Sequence, residues 1–187
     1  MVVIVVVIAV GIVIGLTVLA FNGLVRRRNQ VDGAWSQITV QLKRRYDLIP
    51  NLVETVKGYA AHERGTFEAV TAARAGAMNA QASGDPARTA EADNVLTGTL
   101  KTLFAVSEAY PQLKANQNFL QLQGELSSTE DRVAASRQAY NEAVLSYDTR
   151  IQTFPGSLIA GTFHFIAREY FTVPDSDLVA QAPTVRF

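Results

Sequence analysis

Apolar residues follow two patterns along this chain: an unbroken block at the start, and three-and-four-spaced stripes after it. From Val2 to Phe21 the sequence is an apolar run carrying no charge. At about 1.5 Å per residue, a helix of that length crosses the ~30 Å hydrocarbon core of a bilayer. A cleaved signal peptide starts with basic residues and has a shorter apolar stretch of roughly 7–15 residues; this run has an uncharged start and is longer. The pattern predicts a transmembrane anchor over residues 1–24. Gly11 and Gly15 lie inside it, a G-x-x-x-G spacing that stacks two hydrogens on one helix face and lets a second helix approach closely.

The stripes begin at Val31. Val31, Trp35, Ile38, Leu42, Ile49, Leu52, Val56 and Tyr59 alternate steps of three and four, with one position skipped at Arg45; this is the seam of a helical bundle or coiled coil. Trp35 lies about 21 Å beyond Phe21 along a straight helix, too far out for an interfacial belt, so core packing is expected of it. Pro50 removes a backbone donor and predicts a kink or short break near Asp47 to Pro50. Residues 78–86 have the composition of a connection, with Asp85 as N-cap and Pro86 at the first helical position. A second helix is expected from about Pro86 to Ala109, ended by Tyr110-Pro111. The third carries Phe119, Leu122, Leu126, Val133, Tyr140, Val144, Tyr147 and Ile151 and stops at Phe154-Pro155-Gly156. Ser157 is a candidate cap for a shorter fourth helix with Leu158, Ile159, Phe163, Ile166, Tyr170 and Phe171, which either closes the bundle or rests in a bilayer interface.

The fold class predicted is therefore all-α: an N-terminal transmembrane helix continuing into a long, antiparallel, kinked helical bundle of three long helices plus a shorter fourth. The bundle domain is expected over residues 25–172, with an extended or disordered tail over 173–187. Long amphipathic helices of this kind need one another to bury their stripes.

Charge sets the expected topology. Arg26, Arg27 and Arg28 follow the anchor and Lys43, Arg44 and Arg45 come soon after, against the single acid Asp32, while only the α-amine precedes the span. The positive-inside rule puts the amino terminus outside and the helical body in the cytoplasm. The arginines either fix topology alone or also meet anionic head groups, at about 1 kcal/mol per basic residue. Over the whole chain Lys+Arg and Asp+Glu balance at 17 each, which lacks the basic footprint of a nucleic-acid binder. With 0 Cys, disulfides, thiolate metal sites and cysteine nucleophiles are excluded.

Little else suggests catalysis. The two histidines are His62 and His164, and His62-Glu63 opens like a zincin motif, but Thr66 stands where its second His is required. Serine-hydrolase elbows, Walker loops and G-x-G-x-x-G cradles are missing from the sequence. The expectation is a protein without enzymatic activity, cofactor, metal or small-molecule substrate. A polar set on the seam-forming helices is more unusual: Asn29, Gln37, Gln41, Asn116, Asn118, Glu125 and Glu130. Either these residues are buried and paired, fixing register and partner choice, or they form a solvated face, with Asn116 and Asn118 as caps of the third helix. Arg44, Arg45 and Asp47 are candidates to pair with Glu125 or Glu130.

Longer stretches carry a resemblance. Arg27-Arg28-Asn29-Gln30-Val31, Ala34-Trp35-Ser36-Gln37-Ile38 and Val40-Gln41-Leu42-Lys43-Arg44-Arg45-Tyr46-Asp47-Leu48-Ile49-Pro50-Asn51-Leu52-Val53 look like the signature of the LemA family. Tyr110-Pro111, Leu113-Lys114-Ala115-Asn116, Asn118-Phe119 and Thr129-Glu130, then Arg137, Tyr140-Asn141 and Phe154-Pro155, resemble its later blocks. The resemblance implies a bacterial inner-membrane protein with one N-terminal span and a bent helical bundle, with no reaction attached; one branch is associated with building magnetosome membranes. Two functions are expected to compete: a homo-oligomeric scaffold that organises the membrane or its complexes, and an adaptor docking a separate membrane protein such as a protease, without self-assembly. The lipid membrane is a partner in both.

Overall fold

The computed structural model describes residues 1–172, and the expected tail over 173–187 lies outside the described residues. Among the described residues six helices follow one another: α1 (Val2–Lys57), α2 (Arg64–Ala82), α3 (Pro86–Glu108), α4 (Pro111–Lys114), α5 (Gln117–Gln152) and α6 (Gly156–Phe163). The fold is all-α, with no strand among the described residues. Val and Ile crowd the first turns of α1 and are mediocre helix formers in water, but in lipid a helix bonds every backbone group within itself. α1 and α5 each contribute to two compact units, one of Met1–Ile38 with Ala135–Tyr170, the other of Thr39–Ala134 with Phe171.

In the second unit, α1 runs through Pro50 as one helix, so of the kink or short break expected there the break is not found. Pro50 cannot donate to the carbonyl of Tyr46, four residues back. Arg74 Nε of α2 donates to that carbonyl instead, at 2.7 Å, so the vacancy in the helix ladder is filled from a neighbouring element. The chain does turn where the stripe gives no warning, at 58–63, a connection earlier than the predicted one. Tyr59 N and Ala60 N close the last turn on Val56 O at 3.0 and 2.9 Å, and Tyr59 falls outside the helix, 39% exposed. It is therefore not the core seam residue that the spacing suggests.

α2 and α3 pack on each other. Their connection is shorter than the predicted 78–86, because α2 stays helical to Ala82, but its cap is as predicted: Asp85 Oδ1 accepts from Arg88 N at 3.0 Å, with Pro86 in the first turn. Asn116 caps α5 by accepting from Phe119 N at 3.0 Å. Leu42, Ile49, Leu52, Val56, Leu96, Leu103, Phe119, Leu126 and Val133 are buried in this unit, each such side chain worth roughly 1.5–3 kcal/mol.

In the first unit, Val31, Ile38, Tyr140, Val144 and Tyr147 are buried, and Trp35 stacks tilted on Tyr140 with ring centroids 5.6 Å apart. Here the predicted fourth helix is cut short. α6 ends at Phe163 because His164 takes the left-handed conformation, φ 56°, and Phe165 N returns to Ala160 O; Ser157 makes no cap. The chain from Phe165 to Tyr170 is not helical and is pinned to α5. Tyr147 OH donates to Ile166 O at 2.9 Å, Asp148 Oδ1 accepts from Arg168 N at 3.2 Å, and Tyr140 OH donates to Glu169 O at 2.8 Å.

Candidate functional site: a membrane-facing surface and a polar groove

Residues 1–19 of α1 are exposed throughout, and the most apolar stretch of this helix is 0% buried. Among the described residues one helix is long and apolar enough to cross a membrane, with its greasy side chains facing outward. Gly11 and Gly15 have nothing within 4 Å of a Cβ position, so that face is open. At the end of the run, Ala20 and Leu24 bury against Ile159 and Ala160 of α6, with Phe21, Ile151 and Phe165 alongside. Phe21 meets Phe163 and Phe165 edge-on, at 4.9 and 5.7 Å between centroids.

The three arginines after the span do different things. Arg28 lies over the Phe165 ring, 5.5 Å from its centroid, a cation–π contact. Arg27 donates to Ser146 Oγ. Arg26 is exposed. Alongside the span, an open apolar groove of about 450 Å³ is walled by Val13, Leu16, Leu19 and Ala20 on one side and Phe154, Pro155, Leu158 and Ile159 on the other, with Arg150 also in its lining.

In the second unit the expected ion pairs to Glu125 or Glu130 are replaced by another. Arg45, 3% exposed, donates through Nη1 to both carboxylate oxygens of Asp93, 2% exposed, at 3.0 and 3.1 Å. Its Nη2 donates to Thr97 Oγ1 at 2.9 Å. Asp47 instead pairs with Lys43 one turn away. Arg44, Asp47, Gln121, Glu125, Ser128 and Arg132 line one open groove, the charged surface closest to what the sequence predicts. Of the polar set, Asn29, Gln37, Asn118, Glu125 and Glu130 are exposed, whereas Gln41 and Asn116 are half-buried. Asn116 Nδ2 donates to Tyr59 OH at 2.9 Å. Leu122 is half-buried, as is Trp35. Gln41 Oε1 and Tyr46 OH are buried and have no hydrogen-bond partner among the described residues.

Burial dominates the titration of three tyrosines. It raises Tyr46 far above the usual phenol value, Asp93 adding to the effect and Arg45 opposing it. Burial likewise raises Tyr140 to about 12, against the pull of Arg168, and lifts Tyr147 in the same direction. Tyr140 and Tyr147 keep their protons at neutral pH and donate to Glu169 O and Ile166 O, whereas Tyr46 is a packing group. Both histidines are exposed, and among the described residues no group of three His, Asp or Glu side chains gathers to hold a metal.

Sequence reasoning missed Asp93, Thr97, Arg74, Arg150 and Arg168. Asp93 did leave a signal: Thr89, Asp93, Leu96, Leu100 and Leu103 are buried at three-and-four spacing, so an acid sat in a seam position.

Known proteins align with this chain over most of its length. The profile of the LemA family matches residues 34–187. Protein LemA of Metamycoplasma hominis is 29% identical over 140 residues, covering 74% of this chain and 63% of that protein. Magnetosome protein MamQ 2 of Paramagnetospirillum magneticum is 25% identical over 174 residues, covering 81% of this chain and 64% of that protein; magnetosome protein MamQ of Magnetospirillum gryphiswaldense is 24% identical over the same coverage. The chain thus spans a little under two thirds of the length of these relatives. With an all-helical fold, a span-length apolar helix and a profile match across the body, the chain is a membrane-associated protein that belongs to the LemA family.

Proposed function

We propose that this protein is a membrane-anchored scaffold that self-associates and organises the membrane or the complexes in it, acting by assembly and not by catalysis. The observation that carries this reading is the continuity of α1: a single helix of 56 residues bears both the lipid-length run and the first seam of the body. The seam starts on the same helix as the lipid-length run, with no flexible linker between them. The open face at Gly11 and Gly15 supplies a route for spans to pair. The likeness to magnetosome proteins leans the same way. In this reading the protein sits once in a bacterial inner membrane, amino terminus outside and body cytoplasmic, because Arg26, Arg27 and Arg28 stay on the cytoplasmic side.

Two copies carrying different affinity tags, expressed together and extracted in mild detergent, provide the test. Capture through one tag is expected to bring the other with it; recovery of only the captured copy overturns self-association. The groove lined by Arg44, Asp47, Glu125 and Arg132 favours a second reading, docking of another membrane protein through charges of both signs. In that case E125K with R132E removes a different protein from the captured material and leaves self-capture as it was.

A further inference from the structure

The groove beside the span has features that solvent does not explain. From Leu16 to Arg26, α1 rises about 15 Å, half of the ~30 Å hydrocarbon core. With the arginines at the head groups, whatever lines a groove with Val13 and Leu16 shares their depth. That partner is the corner between α5 and α6: Phe154, 77% exposed, and Leu158, 66% exposed, line the same groove.

The corner is built for an apolar solvent. Thr17, Thr153 and Thr162 turn their hydroxyls back onto the carbonyls of Val13, Thr149 and Leu158, at 2.8, 2.9 and 2.9 Å. Two backbone donors of the corner are closed as well, Thr153 N on Thr149 O and Ser157 N on Thr153 O, while Pro155 has no N–H to satisfy. Non-helical backbone survives at membrane depth only when its polar groups are satisfied in this way.

Arg150 is the exception. It is half-buried and lines the groove, and among the described residues no acidic side chain lines the groove with it. A lone guanidinium beside hydrocarbon is costly and is met by a counter-charge reached along its stem. Head-group phosphates are the anions at hand.

We infer that the α5–α6 corner inserts into the leaflet beside the span, and that the groove between them holds an acyl chain of an anionic phospholipid whose phosphate is bound by Arg150. The site stands on the span lying in the bilayer and is independent of self-association. Its continuity with the lipid-facing wall of α1 selects lipid as occupant, and the unmatched positive charge selects an anionic one.

The chain has 0 Cys, so single cysteines at Ile8, Gln138 and Leu158 carry nitroxide labels without other changes. In vesicles of phosphatidylcholine and phosphatidylglycerol, the labels at Ile8 and Leu158 are expected to collide with oxygen in preference to a water-soluble nickel chelate, and the label at Gln138 the reverse. A Leu158 label that behaves like Gln138 while Ile8 stays in lipid overturns the insertion; chelate access at Ile8 as well overturns the span itself. Native mass spectrometry of the full chain offered phosphatidylglycerol or phosphatidylcholine reads the groove. Phosphatidylglycerol is expected to be retained over phosphatidylcholine, about fivefold less by R150Q, and at the original level by R150K. Equal retention of both lipids, or unchanged retention by R150Q with the same circular dichroism, overturns the lipid site.

Discussion

Arg45 sits at the one place where the stripe of α1 skips a beat, and the structure supplies the reason. The skipped position is buried, and its charge is met by Asp93 from a seam position of α3. A buried charge with its partner removed costs about 3–5 kcal/mol, whereas replacing both by apolar groups of similar volume is near neutral. D93A is therefore expected to lower unfolding stability by that amount in denaturant titration, and R45M with D93L to restore most of it. Equal losses in the single and double variants would show the site to be an ordinary packing contact.

Arg74 makes a parallel case. The sequence marks Pro50 as a disturbance, but only the three-dimensional neighbour shows that the Tyr46 carbonyl is satisfied from outside. R74M is expected to cost about 1–3 kcal/mol as long as Pro50 is present, and less in a P50A background, where the helix can supply its own donor. Additive losses across that double-mutant cycle would contradict the role given to Arg74.

The buried tyrosines add a pH dependence. Folding raises Tyr140 to about 12 from an unfolded value of 10. Its stabilisation is whole below pH 10 and is lost as pH climbs towards 12, about 3 kcal/mol in all. Tyr46 and Tyr147 shift in the same direction. Ultraviolet titration should find tyrosinate appearing late in the folded chain; a single titration near pH 10 for all six tyrosines would contradict it.

At the scale of elements, stripes and stop signals carried most of the fold. Asp85-Pro86 and Tyr110-Pro111 mark helix boundaries by local chemistry, cap and missing donor, and so were visible in the sequence. The turn at 58–63 was not, because the apolar spacing of α1 continues in phase to Tyr59 and the segment lacks Pro. The fourth helix was overestimated for a related reason. Leu158, Ile159, Phe163 and Ile166 keep a helical period past the point where His164 turns left-handed, and only hydrogen bonds from Tyr140 and Tyr147 reveal that the next residues are a pinned strap.

Gly156 anchors that corner. A Cβ there would lie 2.1 Å from Arg150 O, backbone that cannot move aside without distorting the end of α5. G156A is expected to cost about 1–3 kcal/mol, read as a lower thermal midpoint in detergent. An unchanged midpoint would mean the corner rearranges freely and does not hold α6 against the span. The membrane-facing groove was invisible in sequence because its walls come from residues more than a hundred positions apart, and Arg150 lies on a stripe that reads as solvated.

For the whole molecule, the proposed function rests on an uninterrupted α1. The apolar run alone identified an anchor and the stripes alone a bundle; that one helix carries both is a fact of the structure, and it is what makes a scaffold a better reading than a tethered enzyme. The polar set, for which the sequence left burial and a solvated face open, lies mostly in solvent, which moves the weight of any protein contact to exposed surfaces such as the groove at Arg44, Asp47, Glu125 and Arg132. The proposed self-association then has to come from faces the single chain leaves open, the span foremost.

The most direct measurement is the particle mass of the full chain excised from its native membrane in polymer-bounded lipid discs, followed across dilution. The account predicts particles holding two or more chains that persist on dilution and shrink towards one chain when Gly11 and Gly15 are both replaced by Leu. Discs holding a single chain at every concentration would contradict it.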